Sequence, residues 1–142
     1  MSNLARAVEL AAEAYSGRAH WSGEPLLLHR LRVALTLGDP EHQIVAVLSD
    51  LPAITEAARA RLRAAHFSAA VQRAVTWAQP RSGESEVDHL VRIRTRAATR
   101  LVRRAELITA LARATQARVT GPRRRRMEEA CRQLAILDGA AA

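Results

Sequence analysis

The run from Gln43 to Leu51 is almost wholly apolar, and Ser49 and Asp50 interrupt it just before Pro52. A carboxylate is thereby placed near the domain interior; a turn or capping role for Asp50 is the alternative. A second feature is the run Arg123, Arg124, Arg125 and Arg126, directly after Gly121-Pro122. Positive charge at the start of a helix opposes the helix dipole, so the run points to something anionic nearby. The anion is Glu128 and Glu129 in the same helix, an acidic partner, or a phosphate backbone. Cys131 is the single cysteine, so no intramolecular disulfide forms, and no Cys/His cluster has the spacing of a structural zinc site. It is expected as a small buried apolar residue. His42, His66 and His89 match no ligand spacing and are expected at the surface or at helix ends.

Helical periodicity must position these groups. Asn3 to about Ser16 carries Leu4, Val8, Ala11, Ala12 and Tyr15 at the spacing of one buried stripe. The segment GRAHWSGEP, with two glycines and a proline, reads as an ordered loop. A second helix runs from Leu26 to about Leu37, with Leu27, Leu31, Ala34 and Leu35 as its stripe and Gly38-Asp39-Pro40 as its stop. Asp39 then caps a third helix with Pro40 at its first position, buried on most sides through Leu51. Two short helices follow, from Thr55 and from Ser68, the latter placing Trp77 in the core. Ser85 opens a long stretch to about Arg118, with a break near Thr95 to Thr99, and Gly121-Pro122 starts a last helix to Leu137. No strand-like alternation, internal repeat or low-complexity linker is visible. The expectation is an all-α single domain over residues 1–142, an irregular bundle of six or seven helices.

Composition bounds the rest. Apolar types make up 49% of the 142 residues but aromatics only 3%, so the core must be built from aliphatic side chains and alanine, which favours closely packed helices. All 22 basic residues are arginine, and the net charge is +8. Guanidinium groups match phosphate oxygens, although an arginine- and alanine-rich composition also follows from a GC-rich coding background. No secretion signal is visible and no window approaches the roughly 18 apolar residues of a membrane span. A soluble cytoplasmic protein is expected.

Four segments, in order, resemble the hydrolase domain of RelA/SpoT-type HD proteins over about residues 4 to 112. AVELAAEAYSGRAHWSGEPLLLHRLRVALTLG is similar to that family's helix, its GQxRxxGEPY loop and a helix opening with a metal-binding histidine; Gly17, Gly23, Glu24, Pro25 and His29 fall on the pattern. QIVAVLSDLPAIT resembles ALLHDVVEDT, VTWAQPRSGES a stretch ending in RPGES, and LVRRAELITAL the family's VKLADLADNL. The resemblance implies an HD-like helical fold. It further implies a divalent metal, usually manganese, held by two histidines and two aspartates, whose bound water attacks the 3'-pyrophosphate of (p)ppGpp.

Carried over position by position, the resemblance gives His29 and Asp50 as metal ligands, with Glu106 in place of the last aspartate. The histidine of the His-Asp pair is Ser49, and the catalytic Glu-Asp is Ala53 and Ile54, which can neither orient a water nor shuttle a proton. His20 and Trp21 replace the charged residues around the base, and they could stack on a purine. The expected function is therefore a degenerate, catalytically inactive domain repurposed to bind a guanine nucleotide or a protein partner. One alternative is an atypical metal-dependent phosphohydrolase using His29, Asp50 and Glu106. Another is nucleic-acid binding through Arg123, Arg124, Arg125 and Arg126 together with the arginines from Arg92 to Arg104. Small alanine-rich helix faces are compatible with a homodimer.

Overall fold

Six helices begin on a side chain that accepts from the free amides of the first turn: Asn3, Asp39, Thr55, Ser68, Ser85 and Thr120. The computed structural model describes residues 3–139, and among them the backbone forms nine helical segments with no strand beyond one isolated bridge. They are α1 (Leu4–Ala14), α2 (Leu26–Leu35), α3 (Pro40–Leu48), α4 (Leu51–Ile54), α5 (Glu56–Ala64), α6 (Ala69–Ala78), α7 (Glu86–Arg94), α8 (Ala97–Thr115) and α9 (Gly121–Leu137). The all-helical expectation holds, and the chain is cut more finely than its sequence suggests. Pro52 has no amide to give the carbonyl of Leu48, so α3 stops early and Ser49-Asp50 becomes a turn into the short α4. The break foreseen near Thr95 separates α7 from α8.

Helix α3 lies at the centre. Ile44, Val45, Ala46, Val47 and Leu48 are all buried, against α1, α2, α6 and α8. Full burial of an aliphatic side chain of this size contributes about 1.5–3 kcal/mol, so α3 anchors the bundle. Tyr15 closes the end of α1 by donating its hydroxyl to the carbonyl of Val47 at 2.8 Å. A second, smaller cluster joins α7, α8 and α9 through Leu90, Ile93, Leu107, Ala130 and Leu137, with Trp21 resting against it. Among the described residues no helix is long and apolar enough to cross a membrane.

Three expectations about burial are corrected. On α2 the expected Ala34 is buried and Leu27 and Leu31 pack against the core, but the most buried residues include Leu26, His29, Arg30 and Val33, and Leu35 is 82% exposed. The helix is rotated by the loop before it, where the amide of His20 donates to the carbonyl of Glu24 and that of Leu26 to the carbonyl of Arg18. Gly23 makes that loop possible with φ +97, a left-handed conformation that costs glycine little. Cys131 is exposed, because α9 turns Ala130, Gln133 and Leu137 inward instead. Trp77 is half-buried among arginines and does not belong to the core.

Candidate functional site

Arg30 is the only residue of α2 that brings a permanent charge into the interior, and it is 2% exposed. Its Nε donates to Asp50 Oδ2 at 2.7 Å and its Nη2 to Glu106 Oε1 at 3.0 Å. Glu106 comes from α8, and its second oxygen accepts from Arg103 Nη1 at 2.7 Å. Arg103 reaches on to Gln133 of α9 at 2.7 Å, and Gln133 in turn donates to Glu86 at the start of α7. Four helices and the turn after α3 are thus joined through one polar network. Burial alone would neutralise such groups. It pushes the Glu106 carboxyl up, but Arg103 and Arg30 outweigh it and hold the group well below the usual carboxylate range. For Arg30 burial works against the charge, and Glu106 and Asp50 more than restore it.

His29, one residue earlier on the same helix, is fully buried, and its ring stacks on that of His20 with centroids 3.7 Å apart and planes 9° from parallel. Burial lowers the His29 pKa to about 3 and that of His20 to about 4, so both rings are neutral at pH 7 and stack without charge repulsion. The amide of Ser22 donates to His20 Nδ1 at 3.2 Å, which places the ring proton on Nε2. Neither nitrogen of His29 has a hydrogen-bond partner among the described residues; Nδ1 lies 3.4 Å from Glu24 Oε1 without bonding geometry. Glu24, 3% exposed, is held by Arg32 at 2.9 Å.

The structure therefore sorts the residues singled out in the sequence differently from the pattern. His20, His29 and Glu106 present ligand atoms within 4.8 Å of one another and could hold a metal ion. Asp50 is not in that group, because its carboxylate is turned onto Arg30. The set His29, Asp50 and Glu106 does not fit a metal of the family type: a guanidinium occupies the shared position of the two acids, and both Glu106 oxygens already accept from arginine. Ser49 donates its hydroxyl to the carbonyl of Val45 at 2.6 Å and lines the same cavity as Asp50 and Glu106. Ala53 borders a small cavity of about 190 Å³ whose only acids are Asp50 and Glu106. Ile54 packs against the main core.

On the other side of Arg30 a cleft of about 340 Å³ is lined by His20, Trp21, Arg103, Glu86, Arg126 and Gln133, among others. Of the arginine run, Arg126 reaches this cleft and pairs with Glu129 at 3.3 Å. Arg123 lies over the loop, with Nη2 2.8 Å from where a Cβ on Gly23 would be, while Arg124 and Arg125 are exposed. Compared with known proteins, the chain matches no protein-family model and no curated protein. Arg30 is the site residue that sequence reasoning missed, while Glu24 is marked only within the loop pattern and Arg103 only within the 92–104 arginine cluster. The available signal was the spacing of Leu26, His29, Arg30 and Val33, which defines one helix face with a polar centre.

Proposed function

We propose that this chain is a non-hydrolysing domain of the RelA/SpoT type in which the Arg30 guanidinium replaces the metal ion, and that the adjoining cleft binds a guanine nucleotide without turning it over. One observation carries the reading: Arg30 is buried and bonded to both Asp50 and Glu106. A divalent ion would supply a water of lowered pKa. A guanidinium supplies charge but coordinates no water and releases no proton near neutral pH, so the nucleophile is missing. Ala53 and Ile54 add no acid or base.

Binding needs less than turnover. The cleft volume falls at the lower end of the roughly 300–1,000 Å³ typical of small-molecule sites. Trp21 offers an aromatic face for a base, whereas one face of His20 is already taken by His29. Arg126, whose pair with Glu129 is a partly exposed contact at 3.3 Å, offers N–H groups to phosphate oxygens, and Glu86 can accept from the edge of a guanine. Calorimetry of the full chain with GDP, GTP and ppGpp, alongside a pyrophosphate-release assay in manganese, tests the proposal. Saturable binding without release is expected, weakened about tenfold by Trp21→Ala, in keeping with the ~1–3 kcal/mol of one base–aromatic stack. Manganese-dependent release from ppGpp, or no binding of any of the three, overturns it.

A second reading, a phosphohydrolase with a metal on His20, His29 and Glu106, is favoured by the unpartnered nitrogens of His29. It requires the ion to displace arginine from Glu106 and the Ser22 amide from His20 or its tautomer to switch. Release activity abolished by His29→Ala would establish it.

A further inference from the structure

Trp77 lies far from the chemistry just described in one respect: its surroundings share no lining residue with the Trp21 cleft. The guanidinium of Arg96 lies 3.7 Å from the centre of its indole, that of Arg81 4.8 Å and that of Arg92 5.1 Å. Arg92 is spent, since it bonds both oxygens of Glu84 and the carbonyls of Trp77 and Gln79. Arg81 and Arg96, with Arg73 beside them, are different: all three are exposed, and their side chains bond no other described residue. They border a groove of about 590 Å³. Through Thr76, Gln79 and Pro80 it continues into a hollow of about 460 Å³ edged by Arg59 and Arg63, both of which are held by Glu56, at 2.8 and 3.1 Å. Among the described residues no aspartate or glutamate lines the Trp77 groove itself.

We infer that this face binds single-stranded nucleic acid, with Trp77 and Arg96 as the stacking platform and Arg73 and Arg81 holding the phosphates on either side. Arg73, Arg81 and Arg96 gather around one indole with no acid bonded to their side chains, because Glu84 is taken up by Arg92, and such a gathering costs energy unless an anion covers it. Three such guanidinium groups along one groove suit successive phosphates of a strand better than a single phosphate. An indole carrying a guanidinium on its face is a surface on which an unpaired base can stack, and a duplex, whose bases are stacked on one another, offers no such face. This site is separate from the Arg123–Arg126 run, where Arg126 already has Glu129.

Fluorescence anisotropy of labelled 12-nucleotide single strands, of DNA and of RNA, with the full chain tests the inference. Binding should weaken with salt, log K falling by about 0.7 per phosphate neutralised for each unit of log salt concentration. The double variant Arg73→Glu/Arg81→Glu should lose about tenfold in affinity or more and show a shallower salt slope. The equal charge change Arg124→Glu/Arg125→Glu should lose less than about threefold. All four positions are exposed, so both variants should fold, and circular dichroism checks that they do. Equal losses in the two variants, duplex bound as tightly as single strand, or no binding at low salt would each overturn the assignment.

Discussion

Arg30 is the side chain on which the interior depends most. Removing one member of a buried charge network leaves the others desolvated, a loss of about 3–5 kcal/mol. Arg30→Met should therefore cost that much in urea unfolding, because Asp50 and Glu106 lose their shared donor. Arg124→Met, on the exposed face of α9, should fall within about 0.5 kcal/mol of the parent. Sequence reasoning selected His29, Asp50 and Glu106 but passed over Arg30. The cause is physical: long charged side chains are rarely buried, and in a chain with 22 arginines nothing local marks the one that is. Its partners lie 20 and 76 residues away, so only the tertiary fold shows that its charge is matched.

Helix boundaries were legible because capping residues, glycines and prolines are local signals, and Asp39-Pro40, Ser68, Ser85 and Gly121-Pro122 all mark real starts. Helix register was less so. How far the buried face of α2 extends from the expected Leu27-Leu31-Ala34 stripe towards Leu26, His29 and Val33, leaving Leu35 outside, depends on where the preceding loop delivers the chain. The connection between α6 and α7 shows the same dependence on long-range contacts, held as it is by Arg92 on Glu84 and on two carbonyls. The bond from Arg92 lowers the Glu84 carboxyl from 4.5 to about 2. A depressed carboxylate pKa means that the unfolded chain takes up the proton first as pH falls. The contribution is complete above pH 4.5 and disappears as pH drops towards 2. Urea unfolding at pH 7 and pH 3 should show the advantage of the parent over Glu84→Gln shrinking at the lower pH; an advantage independent of pH would count against this pairing.

Across the whole molecule, the +8 charge divides into arginines spent on structure and arginines left for partners. Arg30, Arg92, Arg103 and Arg104 belong to the first group, each bonded to an acid. That removes much of the 92–104 arginine cluster from any phosphate-binding surface, a division that composition could not reveal. Arg73, Arg81 and Arg96 belong to the second group. The central claim, the proposal that an internal guanidinium replaces the ion, is tested most directly by calorimetric titration of manganese into the metal-stripped 142-residue chain at pH 7. With Asp50 and Glu106 committed to Arg30, no saturable binding is expected at submillimolar manganese. Stoichiometric uptake that is lost in both His29→Ala and Glu106→Gln would contradict the claim.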